Sequence, residues 1–338
     1  MATAVGDIPV VATKLTARDR RGGYRVRWCL GRSSYRVKPG LYAVGAPTDK
    51  SPVLVSANYK LSFDRLREQL SDLDAWLLVL DTKGVNVWCA AGKGTFGTDE
   101  IVRRIQLTRL AEIVSHRRII VPQLGAPGIM AHVVRAQSRF KVRFGPVRAE
   151  DIPAYLTAGM KATDEMRLIR FPLKDRLILI PTELVLGTKY ALGAVVALAI
   201  LSGLDSSGFS LERMLSSGPT VALMVLVGYV LATALPPILL PWLPGRSFSV
   251  RGFWAGWIVI GALFAIANTS GGDFVSAWTL TGWVLMTLAV ASHVAMKFTG
   301  CSTFTSLSGT VKEVKAALPF QIGGAVLGVT AWVTGLFR

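Results

Sequence analysis

From residue 52 onward the chain alternates short apolar runs with amphipathic segments. Residues 52–57 (PVLVSA) form an apolar run of strand length. A helical pattern follows over residues 62–70, with Leu66 and Leu70 on one side and Ser62 as its expected N-cap. Residues 76–80 repeat the strand pattern and end at Asp81. After the segment VNVWCAAGKGTF at 85–96, a helix is predicted over residues 98–114. Its apolar positions are Ile101, Ile105, Leu107 and Ile113, and Asp99 and Glu100 fall in its first turn, where negative charge is favoured. A third strand at 119–121 leads through Pro122–Gly128 into a helix ending near Gln137, and a fourth at 140–144 leads through Gly145-Pro146 into a short helix at 152–158. This alternation predicts an α/β fold, a Rossmann-like parallel sheet with flanking helices. Ligands of such sheets bind at the carboxyl ends of strands, where the Cys89 segment, the Gly125–Gly128 loop and Gly145-Pro146 all fall. Residues 24–29 and 34–37 read as shorter strands packed on one edge.

Beyond residue 183 the pattern changes to five apolar stretches, each long enough to cross a bilayer: 184–204, 219–243, 252–271, 274–296 and 316–337. The expected order is therefore a soluble domain over 1–170, a linker at 171–183 and an all-α transmembrane domain of five helices over 184–338. Lys189 near the start of the first span can snorkel to the interface, and His293 lies one turn from the end of the fourth. Arg246 and Arg251 mark the second loop and Lys297, Lys312 and Lys315 the fourth, whereas the first loop carries Arg213 and the third Asp273. Basic loops stay inside. The expectation is a multi-pass protein of the cytoplasmic (inner) membrane, with the N-terminal domain cytosolic and the C-terminus outside. The Pro236-Pro237 pair and Pro241 are candidates for a break in the second helix, as in discontinuous transporter helices; the plainer reading is a kink or a helix end near Trp242.

Composition sharpens this division. The chain is 51% hydrophobic and 17% charged, with a mean hydropathy of +0.45. Residues 1–184 hold 30 of the 38 Lys/Arg and 17 of the 21 Asp/Glu, a net charge of +13. Residues 1–20 lack the apolar core of a signal peptide, which fits a cytosolic first half. No zinc spacing, basic heptad region or RNP-like strand accompanies the charge, so nucleic acid is not the expected partner. Anionic membrane lipid or an acidic protein fits better. The three cysteines, Cys29, Cys89 and Cys301, are too few for an iron–sulfur cluster and too dispersed for a disulfide framework. Cys29 is read as a strand residue without a role.

The segment 85–96 carries the chemistry. Ala91-Gly92-Lys93-Gly94-Thr95 departs from a phosphate-binding P-loop, since Lys93 precedes Gly94 and position 87 is valine. A cysteine nucleophile would want a histidine partner, and His116 and His132 lie in no recognisable signature. On these grounds a structural cysteine is the favoured reading. However, Asn86-Val87-Trp88-Cys89-Ala90-Ala91-Gly92-Lys93-Gly94 resembles, without a break, the signature of the HgcA family, membrane-anchored corrinoid proteins that methylate mercury. The blocks PVLVSANYKLSFD, PQLGAPGI and FGPVRAEDIPAYL also resemble the large subunit of the corrinoid iron–sulfur protein of acetyl-CoA synthesis.

The resemblance implies a cobamide, with Cys89 as the lower axial ligand to cobalt from a small helical cap at 86–95. It places cofactor contacts at Asn58, Leu61, Ser62, Thr82, Asn86, Val87, Trp88, Cys89, Ala90, Ala91, Gly92, Lys93, Gly94, Thr95 and Phe96, and at Gly125, Ala126, Pro127, Gly128, Gly145 and Pro146. Trp88 would pack on the macrocycle edge or in the core. Lys93 would lower the Cys89 pKa, hold a carboxamide or sit in solvent. Cys301 is either a stray thiol or a soft Hg(II) site. The implied activity is methyl transfer to inorganic Hg(II), with a methyl-folate donor and a separate ferredoxin-like 4Fe-4S electron donor. A corrinoid methyl carrier of one-carbon metabolism, and a transporter or sensor with a cytosolic ligand-binding domain, are the rival readings.

Overall fold

The computed structural model describes residues 1–269, 276–301 and 307–338, with the side chains at 267–269, 299–301 and 307 excepted. The chain divides into two compact units, Met1–Ile169 and Arg170–Arg338.

The first unit is built on a five-stranded sheet: β1 (Gly40–Val44), β2 (Val53–Ala57), β3 (Ala75–Leu80), β4 (Arg118–Val121) and β5 (Lys141–Phe144), in the order β1-β3-β2-β4-β5. The last four are parallel; Val53–Ala57 lies in register with Trp76–Leu80, and Arg118–Val121 with Lys141–Phe144. β1 runs antiparallel to β3 at the edge, so the sheet is mixed. The central strands β2 and β3 are apolar apart from Ser56, because both faces are covered. Val53, Val55, Trp76, Leu78 and Leu80 pack on one face with Ile101, Ile105 and Val134, while Leu54, Leu77, Val79 and Ile120 pack on the other with Phe63, Leu66 and Tyr155. The outer edge of β1 is partly covered by the N-terminal segment, where the Val11 N–H donates to Ala43 O (2.9 Å).

The flanking helices are α1 (Ala17–Arg27), α2 (Lys60–Glu68), α3 (Val87–Gly92), α4 (Thr98–Leu107), α5 (Leu110–Ile113), α6 (Ala131–Ser138) and α7 (Ile152–Thr157). Several boundaries differ from the sequence reading. Residues 24–29 are not a strand: most of them belong to α1, which starts in a reciprocal capping box between Thr16 and Asp19. Cys29 follows the end of that helix in a left-handed conformation (φ 58°), and Ser34 closes a 3-10 turn at Arg32–Ser34. The edge strand is instead β1. Ser62 is not the cap of α2; Tyr59 holds that position without a side-chain bond. The helix expected over 98–114 is interrupted at Arg109 (φ 48°), giving α4 and α5.

The second unit is helical apart from a short antiparallel pairing of Leu204–Asp205 with Gly208–Phe209. Five helices, α8 (Ile180–Leu201), α9 (Leu211–Leu239), α10 (Phe248–Thr269), α11 (Ala277–Cys301) and α12 (Leu307–Leu336), are long and apolar enough to cross a membrane. Each packs on the next in sequence, and α9 also meets α11. Small residues permit the close approaches: a Cβ on Gly282 would lie 2.6 Å from the Trp332 backbone nitrogen. Residues 171–183, expected as a linker, instead hold the short helix Leu173–Leu177 and the first turn of α8. α9 continues through Pro236-Pro237 and ends at Leu239. The Arg176 guanidinium donates to the carbonyls of Pro237 (2.8 Å) and Ile238 (2.9 Å), groups of a last turn that has no further helical N–H to meet them. Glu183, buried in α8, pairs with Lys297 of α11 at 3.3 Å. His293 Nδ1 lies 3.0 Å from Gln321 Oε1, whose amide donates to Ser292 Oγ (3.0 Å), joining α11 to α12. Asp273 and the Cys301 side chain lie outside the described residues.

Candidate functional site

The parallel strands β2 to β5 all end at one edge of the sheet, and the loops that follow them meet there. The loop after β3 is shaped by Asn58, the residue after β2. Its carboxamide oxygen accepts the N–H groups of Thr82 (3.1 Å) and Gly84 (2.9 Å) and lies 2.8 Å from Thr82 Oγ1, while its amide donates to Asp81 Oδ1 (3.2 Å). Thr82 Oγ1 also lies 2.6 Å from Val85 O. Both Asn58 and Thr82 are buried. The Asp81 N–H donates to Glu100 Oε1 (2.8 Å), which ties the same loop to α4. Lys83 above all, through its ammonium and backbone N–H, holds the Asp81 carboxyl below the usual range against the opposing effect of burial.

This latched loop delivers the chain into α3. Asn86 is the N-cap, and its side-chain oxygen accepts the Cys89 N–H (2.9 Å), so Cys89 is fixed in the first turn. The Cys89 thiol is free and half-exposed. Asn86, Val87 and Trp88 are half-exposed beside it, and Gly92, Lys93 and Gly94 form the exposed far end of the helix. Ala90, Ala91 and Phe96 point into the core and Thr95 is half-buried.

The loop after β4 supports this helix from below. Gln123–Gly128 is a 3-10 segment lying directly against α3. A Cβ on Gly128 would overlap the Phe96 carbonyl oxygen and lie 3.2 Å from Ala91 Cα; one on Gly125 would overlap the Phe96 ring. Only glycine allows this spacing. The Met130 N–H donates to Thr98 Oγ1 (2.8 Å), and Gly145 N–H donates to Val121 O (2.8 Å), so the loops after β4 and β5 are joined to the same frame.

The residues expected at the site thus divide by position. Asn86, Val87, Trp88, Cys89, Gly92, Lys93, Gly94, Thr95, Ala126, Pro127 and Gly128 reach the surface to some degree. Asn58, Thr82, Ala90, Ala91, Phe96, Gly125, Gly145 and Pro146 are buried and hold the loops in place. Leu61 and Ser62 lie in the first turn of α2, with Leu61 directed toward Gly23 of α1. Gln123 stands out among the residues with no expected role. Its Oε1 is buried and has no hydrogen-bond partner among the described residues, although it opens the loop against α3. An unpaired buried acceptor is costly to a fold, and an ordered water, an ion or a ligand's donor can meet it. Among the described residues no three of His, Cys, Asp and Glu converge on a metal position.

Residues 28–156 match the family described as the CO dehydrogenase/acetyl-CoA synthase delta subunit. That segment contains all five strands and every loop of the site. The chain is also similar to curated relatives named acetyl-CoA decarbonylase/synthase complex subunit gamma. The protein of Methanopyrus kandleri is 32% identical over 127 residues, covering 37% of this chain and 27% of the relative. That of Methanocaldococcus jannaschii is 36% identical over 97 residues, 28% of this chain and 20% of the relative. The Archaeoglobus fulgidus protein is 29% identical over 127 residues, 37% of this chain and 27% of its own length. The chain therefore spans about a quarter of the length of these relatives.

Proposed function

We propose that the first unit binds a cobamide at the carboxyl edge of its sheet and that the protein transfers a methyl group to inorganic Hg(II). The observation that carries this reading is the position of Cys89, a reachable thiol fixed by the Asn86 cap on a short helix that projects from the sheet edge. Three features of the chain suit such a cofactor. The thiolate of Cys89 is a soft, strongly donating ligand for cobalt. Gly92, exposed at the end of the same helix, leaves open space beside the backbone there. The unpartnered Gln123 oxygen suits a carboxamide N–H of the kind that rims a corrin.

When bound, a cobamide supplies a cobalt centre able to carry a methyl group. The protein's part is to hold Cys89 on one side of it and to keep the loop geometry fixed through Asn58, Glu100 and the Gln123–Gly128 segment. The Cys89 thiolate would hold the cobalt as a donating ligand, and the bound group would supply methyl-transfer chemistry toward an electrophile, for which Hg(II) is the proposed substrate. The methyl donor is proposed to be a methyl-folate or its delivery system. Reduction of the cofactor is assigned to a separate ferredoxin-like 4Fe-4S protein, because three cysteines cannot hold such a cluster.

The relatives' place in an acetyl-CoA decarbonylase/synthase complex supports a second reading, a methyl carrier of one-carbon metabolism. Single-turnover transfer from the methylated full chain separates the two. Faster transfer to Hg(II) than to a thiol or an acetyl-CoA synthase acceptor is expected, and the opposite order favours the carrier. Cys89→Ala should abolish methylmercury formation, and full activity in that variant would remove the thiolate from the mechanism. Cys89→His, with a neutral and weaker donor, should transfer far more slowly.

A further inference from the structure

The helix that precedes the matched segment carries a face that the site does not use. Residues 17–38 contain eight basic residues and one acidic one, Asp19. Asp19 faces inward, bonded to Lys60 (2.6 Å) and Arg67 (2.9 Å), so it does not offset the outward charge. On α1 the positions Arg21, Tyr24, Arg25 and Trp28 follow the spacing that places side chains on one side of a helix. The Trp28 N–H still bonds to Tyr24 O, which extends the turn through it. All four are exposed, Tyr24 at 66% and Trp28 at 48%, and Leu30 just beyond is 57% exposed. Gly23 and Val26, the buried residues of the helix, lie on its other side.

Large aromatic side chains left in solvent need a partner, and this pair is interleaved with arginines. A nucleic acid or an acidic protein would satisfy the charge. A bilayer surface satisfies both halves of the pattern, since Trp and Tyr settle at headgroup level while Arg binds anionic headgroups. The same chain carries five helices long and apolar enough to cross a membrane, which keeps that surface at high local concentration. We infer that the Arg21/Tyr24/Arg25/Trp28 face of α1 is a docking surface for anionic lipid headgroups. It tethers the first unit to the bilayer independently of the transmembrane helices.

The test uses the full chain in nanodiscs of phosphatidylcholine alone or with phosphatidylglycerol, footprinted with hydroxyl radicals and read at Tyr24 and Trp28 by mass spectrometry. The expected result is about tenfold slower labelling of both residues in the anionic discs. High salt should reverse it, as should Arg21→Gln combined with Arg25→Gln, both exposed and therefore tolerated by the fold. Equal labelling in the two lipids would overturn the inference. So would protection that appears in neutral discs only after an acidic ferredoxin is added, which would make the face a protein-binding surface.

Discussion

At the scale of single residues, Cys89 and Gln123 illustrate two kinds of legibility. Cys89 was visible in the sequence because its neighbours form an unbroken motif. Gln123 was not, because a buried atom without a partner is a property of packing and leaves no mark in a sequence. Its substitution gives a prediction with opposite signs. Gln123→Leu removes the unpaired acceptor, so urea unfolding of residues 1–169 should show stability unchanged or raised by about 1 kcal/mol. The same change should weaken cobamide binding by about tenfold, the loss of one hydrogen bond worth about 1.4 kcal/mol. Unchanged affinity in an absorbance titration would rule out a contact between Gln123 and the cofactor. Asn58 should behave differently. It is buried and holds Thr82 and Gly84, so Asn58→Ala leaves the Gly84 N–H unmet and the Thr82 N–H with only its bond to Leu80 O (3.1 Å). The expected cost is about 2–3 kcal/mol of stability.

Among the elements, the parallel strands were legible from apolar runs that only a sheet covered on both faces requires. β1 and α1 differ from the expectation, because the alternation Tyr24-Val26-Trp28 imitates a strand. The competing signal, Thr16 three residues before Asp19, is a capping box that the structure realises. Asp19 then does more than cap. It joins α1 to α2 through Lys60 and Arg67, and both of those cations also meet Asp64, Lys60 at 2.6 Å and Arg67 at 2.8 Å. Burial alone would raise the Asp19 carboxyl, but Lys60, Thr16 and Arg67 together hold it far below the usual range. Burial would likewise lower Lys60, and Asp19 and Asp64 outweigh it and raise the ammonium. The signs follow. Asp19's contribution is present above the unfolded carboxylate value, about 3.9, and is lost as pH falls through its lower folded value. Lys60's contribution is present below about 10.4 and is lost as pH rises past its higher folded value. Unfolding curves should therefore be flat in this respect across neutral pH. Asp19→Asn should remove part of the acid-side slope, and an unchanged slope would contradict the assignment. Arg67→Met should cost about 1.5–3 kcal/mol, the loss of charged hydrogen bonds to Asp19 and Asp64, since Lys60 still meets both carboxylates.

On the scale of the whole molecule, the five apolar helices were evident from length and composition, but their polar contacts were not. Glu183 falls one residue outside the expected first span, yet it is buried against Lys297. α9 passes through Pro236-Pro237 and ends at Leu239, close to the helix end expected near Trp242, and Arg176 meets its final carbonyls. These contacts join helices far apart in sequence, which local patterns cannot reveal. The Lys/Arg distribution proposes a cytosolic first unit and an outward C-terminus. A reporter fused after Arg338 should be accessible from outside, and one at Arg246 only from the cytosol; a cytosolic C-terminus would mean that one of the five helices does not span. The first unit, with a core on both sheet faces and all the site loops, should fold as residues 1–169 and take up cobamide by itself. The most direct test of the central claim is cobalt analysis with the visible spectrum of the full chain purified after growth with cobamide. About one cobalt per chain is expected, with a cobalt–thiolate spectrum that Cys89→Ala abolishes while circular dichroism stays unchanged. A protein without cobalt, or one whose spectrum is the same with and without Cys89, would contradict that claim.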